Sequence, residues 1–136
     1  MTEQMDITGK IVSGVGQGAF FTQLSWVKEQ CLKQLGFAPW PGTLNLEISM
    51  EFVNVIEAFK KKDGVELISP DAAYCSGHVL PVYIEDVQAA IVIPAEDVRV
   101  HAKNIIEIIA PVMLKEALRV KDGDWLTLTI NYDQTL

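Results

Sequence analysis

The sequence predicts a mainly β fold with inserted helices, arranged as a small barrel. Three observations point there. Short runs rich in Val, Ile, Leu and Thr recur along the chain, and the cleanest, "WLTLTINY" (125–132), puts Leu126, Leu128 and Ile130 on one side. Only two or three segments carry a helical stripe. Strands and helices do not follow the βαβ rhythm that builds a parallel sheet.

The elements follow in chain order. "DITGKIVSGV" (6–15) alternates and is rich in β-branched residues, so it reads as a strand, and "GVGQGAFF" (14–21) follows as a glycine loop. "TQLSWVKEQCLKQLG" (22–36) places Leu24, Val27, Cys31 and Leu35 on one helical face, with Thr22 as N-cap and Gly36 as stop. "TLNLEIS" (43–49) is a strand. "MEFVNVIEAFKKK" (50–62) carries Phe52, Val55, Ile56 and Phe59 at helical spacing, Ser49 can cap it, and Asp63-Gly64 ends it. "VELIS" (65–69) is a strand. "AAYCSGHVLPVYIED" (72–86) is another, with a bulge or bend expected near Ser76-Gly77 and at Pro81. "VQAAIVIP" (87–94) reads as a buried strand, and the β-branched content of "NIIEIIA" (104–110) favours strand over helix. "PVMLKEALRV" (111–120) opens with proline at a helix N1 position.

Length and composition bound the function. The chain has 136 residues, 49% hydrophobic and 21% charged, which suits one globular domain, 1–136, with a real core. Its net charge of −7 and its lack of a basic cluster beyond Lys60-Lys61-Lys62 argue against nucleic acid. Those lysines suit a helix C-terminus. A small anionic ligand remains compatible. Cys31 and Cys75 lie far apart without CxxC spacing and read as buried or half-buried thiols of a reducing compartment. The acidic, polar start is no signal peptide, and no apolar run approaches the roughly 18 residues of a membrane span. A cytoplasmic location is expected, with no membrane and no protein partner implied.

"GFAPWPGTLNLEIS" (36–49) is the most informative stretch. Pro39 and Pro41 fix their own φ angles and restrict the residues before them, so a stiff loop enters the strand. Thr43 and Asn45 are two apart and leave the same strand face, while Leu44 and Leu46 leave the other. This is either turn chemistry on a polar strand face or a pair of neutral oxygen ligands. Mg²⁺ accepts such oxygens and shares phosphate oxygens, so a bound nucleotide would complete that site. Gly14, Gly16 and Gly18 alternate after a strand, as a flexible loop or as a nest of backbone N–H groups for a phosphate. They match neither a Walker loop nor a Rossmann fingerprint. Glu107 lies among isoleucines. It either faces solvent by simple alternation or serves as a general base or acceptor for a ligand hydroxyl. His78 and His101 have no metal spacing, Asp122 and Asp124 read as turn residues, and Trp26, Trp40 and Trp125 as packing. Trp40, in the proline loop, can also wall a flat ring.

With these residues assembled, the chain resembles the CTP-dependent riboflavin kinases. The segments "GKIVSGVGQGAFF", "LGFAPWPGTLNLEI", "HVLPVYI", "AAIVIP", "IIEIIAPVMLKEAL" and "KDGDWLTLTI" fall in the family's order over nearly the whole length. The resemblance implies a six-stranded cradle-loop barrel. It implies transfer of the γ-phosphate of CTP to the terminal ribityl hydroxyl of riboflavin, giving FMN and CDP, with Mg²⁺ as cofactor. By position, Gly14, Val15, Gly16, Gln17, Gly18 and Ala19 would line the nucleotide, and Val112, Met113, Leu114 and Lys115 would complete its cytidine pocket. Thr43 and Asn45 would hold the metal, with Asn45 and Glu107 as the catalytic pair, and Glu107 would meet the ribityl end. The family carries a threonine against the flavin shortly before the Glu107 strand. Here the stretch is "DVRVHAKN" (97–104), and Arg99 or Val100 takes that place, with Arg99 as the expected flavin contact. Where the family often has Leu-Arg-Glu, Leu114-Lys115-Glu116 keeps the charge but not the guanidinium fork. The competing reading is a related barrel that binds nucleotide or flavin without chemistry. A DNA-binding regulator fits the charge least.

Overall fold

Period-two alternation becomes one antiparallel sheet of seven strands in the computed structural model, which describes residues 2–14, 22–70, 77–93 and 104–133. The strands are β1 (Thr2–Val12), β2 (Leu44–Glu47), β3 (Val65–Leu67), β4 (Gly77–Ile84), β5 (Val87–Ile93), β6 (Ile105–Ile109) and β7 (Trp125–Asp133). Their order is β3-β4-β5-β6-β2-β1-β7, and β4 also pairs with β7 at Tyr83↔Thr129. Six strands therefore run in a circuit whose two ends meet, and β3 lies outside it on the flank of β4. The strand expected in "VELIS" (65–69) is this β3, where Val65–Leu67 pairs with Gly77–Val79.

The helices are α1 (Ser25–Leu35), α2 (Met50–Asp63) and α3 (Leu114–Leu118). Gly36 stops α1 in the left-handed conformation at φ 85°, where its N–H meets the carbonyls of Cys31 and Leu32. Ser49 caps α2 as expected, accepting from the N–H of Phe52, and Lys60–Lys62 occupy its last turn. Ile56 of the expected stripe is buried, but so is Val53; Phe52, Val55 and Phe59 pack only partly against the core.

Two apolar clusters lie on opposite faces of the sheet. Ile7, Leu46, Leu80, Ile91, Ile108 and Leu128 belong to the larger, which α2 joins through Val53 and Ile56. On the other face Val27, Cys31 and Leu35 of α1 cover Val79, Ala90, Val92 and Ile109. Both faces of β5 are thus covered, which is why "AAIVI" reads as a continuous apolar run. Burial raises the Cys31 thiol to about 11, so it stays protonated and inert. Gln30 of α1 donates to the carbonyl of Ile68 and accepts from its N–H, both at 2.7 Å. Its amide thereby acts as a one-residue strand partner just beyond β3.

Pro81 makes no bulge in β4. Its register with β5 runs unbroken from His78↔Ile93 to Ile84↔Val87. The pairing with β3 ends at Val79 and that with β7 lies at Tyr83, so Pro81 sits where the other flank of β4 has no paired residue. Trp125 is 65% exposed rather than packed. Pro111 does not open α3, whose N-cap is Met113.

Candidate active site

The proline loop is held at two backbone points before β2 begins. The N–H of Trp40 donates to the carbonyl of Ala110 at 2.7 Å. The N–H of Gly42 donates to Thr22 Oγ1 at 2.8 Å, and Gly42 has φ 126°, a conformation that disfavours side chains. Thr22 is fully buried. The N-cap of α1 is Leu24 and makes no side-chain cap, so Thr22 is not the expected N-cap and its hydroxyl accepts from the loop.

Past this anchored loop, the register brings the polar residues together. Asn45 of β2 lies directly opposite Glu107 of β6 and, on its other side, opposite Val12 of β1. Glu107 lies opposite Val92 of β5. Opposed residues project from one face, so the carboxamide and the carboxylate are neighbours there. Thr43 Oγ1 donates to Glu107 Oε1 at 3.4 Å, a long bond that a ligand can replace at little cost. The alternation at Glu107 holds, with Ile106 and Ile108 in the large core. Yet the face Glu107 occupies is a polar cluster against α1's cluster, and Glu107 is half-buried.

Asn45 is only 7% exposed, and its Oδ1 has no hydrogen-bond partner among the described residues. Buried carbonyl oxygens are nearly always paired, because leaving one unpaired costs about 1–3 kcal/mol. Gly14 lies hard against the same carboxamide: a Cβ at that position would collide with Nδ2 and sit 2.8 Å from Cγ. The first glycine of the glycine segment is therefore required by close approach to Asn45. A hydroxyl, an unpaired carboxamide oxygen and a carboxylate are a hard-oxygen set that suits a divalent cation sharing phosphate oxygens. Among the described residues no group of three His, Cys, Asp or Glu side chains could hold a metal alone.

Thr43 also lines a cleft of about 150 Å³ formed by Trp40–Leu44, Ile108, Ala110 and Val112–Lys115. Because α3 starts only at Leu114, the 110–113 stretch stays free to wall this cleft. Val112 and Met113 are both 39% exposed on it, opposite Trp40. Lys115 Nζ, at the rim, donates to Asp122 Oδ1 at 2.8 Å, while Ser13 Oγ donates to Asp122 Oδ2 at 2.6 Å. These bonds, from Lys115 first and Ser13 second, hold the Asp122 carboxyl below the usual carboxylate range. A lowered folded-state value means the tie is fully present above the ordinary range, near pH 4, and is released as pH falls through the depressed value. Lys115→Met should raise the Asp122 titration toward the ordinary range in a side-chain carboxyl NMR experiment. An unmoved titration would contradict the assignment.

The structure thus gathers Gly14, Thr43, Asn45 and Glu107 into one cluster, and Thr43 with Val112, Met113, Leu114 and Lys115 around one cleft. Thr43 is the residue the two share. Val15, Gly16, Gln17, Gly18, Ala19, Arg99, His101 and Cys75 lie outside the described residues. His78 stands 4.0 Å from Glu66 across β3 and β4, away from both groups. Sequence reasoning missed three contributors. Thr22 reads as a helix cap, Asp122 as a plain turn residue, and nothing local to Ser13 signals a partner 109 positions away.

A circuit of antiparallel strands with an oxygen-rich cluster beside an apolar-walled cleft defines a small mainly β domain with one candidate small-molecule site among its described residues. The family model CTP-dep_RFKase, described as "Domain of unknown function DUF120", matches residues 11–130. A riboflavin kinase of Sulfurisphaera tokodaii is 36% identical over 134 residues, covering 95% of this chain and 97% of the relative. One from Saccharolobus solfataricus is 36% identical, covering 93% and 74%. One from Methanosarcina acetivorans is 31% identical, covering 88% and 51%. The chain spans about half the length of several curated relatives it matches. It belongs to the CTP-dependent riboflavin kinase family.

Proposed function

We propose that this chain is a riboflavin kinase that transfers the γ-phosphate of CTP to the terminal ribityl hydroxyl, with Mg²⁺, and that its strand circuit is a six-stranded cradle-loop barrel. The observation that carries the reading is the buried Asn45 Oδ1, unpaired among the described residues and grouped with Thr43 and Glu107. Thr43 and Asn45 would hold the metal, which when bound neutralises phosphate charge. Asn45 is preset by β2 and by Gly14, and Thr43 by the pinned proline loop, so little ordering remains to be done on binding. Glu107 orients the attacking hydroxyl and takes its proton. The ribityl oxygen bonds to the γ-phosphorus, the bond to the β,γ-bridging oxygen breaks, and CDP leaves.

The cleft supports a pyrimidine donor. A volume of about 150 Å³ is comparable to a cavity that accepts one six-membered ring. Trp40, Pro41, Val112 and Met113 offer the apolar walls such a ring needs. Arg99 remains the proposed flavin contact.

The test is FMN formation from riboflavin with CTP and with ATP, side by side, in the presence of Mg²⁺. The expected result is FMN with CTP and far less with ATP. CTP with Mg²⁺ at a hundredfold over Kd should stabilise the fold by about 2.7 kcal/mol, a shift of several degrees in Tm. A chain that binds both substrates without turnover is the non-catalytic module instead, and one that binds neither overturns the reading.

A further inference from the structure

We propose that Asp122 is a positioning residue that fixes Lys115 at the rim of the nucleotide cleft and ties it to the start of the glycine segment. This rests on the nucleotide reading above. The turn that carries Asp122 is fastened to β1. The N–H of Gly123 donates to the carbonyl of Ile11, and the N–H of Ile11 to the carbonyl of Asp124, both at 2.8 Å. The turn is closed on itself by Asp124 N–H to the Lys121 carbonyl at 3.0 Å and Lys121 N–H to Asp124 Oδ2 at 2.9 Å. Asp122 therefore presents its carboxylate from a fixed backbone.

Its two oxygens reach in two directions, Oδ1 to Lys115 and Oδ2 to Ser13. Lys115 lines the cleft. Ser13 precedes Gly14, which lies against the Asn45 carboxamide. One carboxylate thus bridges the two segments expected on either side of the nucleotide. The lysine and aspartate side chains are 39% and 46% exposed, and an ion pair so exposed adds little to stability. Its geometric consequence is larger. A long, mobile lysine is held at one place, and with one N–H on Asp122 it keeps two for a ligand. Ordering that side chain in advance removes a cost that binding would otherwise carry.

The test is a double-mutant cycle on Asp122→Ala and Lys115→Met, with CTP affinity measured calorimetrically with Mg²⁺ and KM and kcat measured separately. Asp122→Ala should weaken CTP about three- to tenfold, through KM rather than kcat. In the Lys115→Met background the same substitution should cost clearly less, because the part of its effect that passes through the lysine is already gone and only the Ser13 bond is left to lose. Asp122→Asn, which keeps an acceptor but loses the charge, should fall between, and it serves as the second variant if the alanine form folds poorly. Unchanged or tighter CTP binding in Asp122→Ala, or additive effects in the cycle, would overturn the proposal. A wild-type chain that does not bind CTP at all would instead overturn the nucleotide reading, and this inference with it.

Discussion

Asn45→Ala should reduce FMN formation by about two orders of magnitude in kcat/KM while leaving the fold nearly as stable as before. The two effects separate because Asn45 is a poor structural residue. It is buried, yet its Oδ1 has no partner among the described residues. Removing it loses some packing but also removes an unpaired polar group whose burial costs about 1–3 kcal/mol, so the net change should lie within about 1 kcal/mol. Urea unfolding and the FMN assay together check this. A large loss of stability would mean that the carboxamide is structural. Asn45→Asp extends the test without relying on activity. It would set two carboxylates directly opposite each other, at Asn45↔Glu107. That variant should be destabilised without Mg²⁺ and regain stability as Mg²⁺ is added, since a divalent ion relieves the repulsion.

Gly14→Ala should damage both stability and activity. Its Cβ would meet the Asn45 carboxamide, with Cγ only 2.8 Å away. Asn45 is only 7% exposed, so either the end of β1 or the carboxamide must shift within a packed site. The expected cost is about 1–3 kcal/mol, with FMN formation falling as far as in Asn45→Ala. Gly36→Ala is the control. Gly36 has φ 85° but open space around its Cα, so alanine there should cost about 1 kcal/mol of stability through backbone strain and leave turnover intact. Equal activity in the Gly14→Ala chain and the wild type would show that close packing on Asn45 does not matter to the site.

What the sequence made legible was local. Ser49 as a cap, Gly36 as a stop and the strand through Glu107 follow from residue type and spacing alone. The nearness of Thr43 and Asn45 was legible from their spacing, although β2 begins only at Leu44 and it is Glu107 that both of them meet. Features decided by distant partners were not legible. The proline at 111 suits a helix start, but its stretch lines the cleft, and the carbonyl of Ala110 takes the Trp40 N–H. Pro81 looked like a bend because nothing local tells which flank of a strand lacks a partner. Thr22 looked like a cap because nothing local signals its bond with Gly42, 20 residues away. The burial of Asn45 depended on Gly14, Glu107 and α1's side of the sheet arriving together, which no single stretch encodes.

The most direct measurement is paramagnetic broadening by Mn²⁺, substituted for Mg²⁺, in the presence of CTP. The Asn45 side-chain amide and the Thr43 methyl should lose intensity first, and only when both Mn²⁺ and CTP are present. Sharp Asn45 and Thr43 resonances under conditions where Mn²⁺–CTP is bound elsewhere on the chain would contradict the claim that a fixed loop and strand aim these two oxygens at the donor's metal.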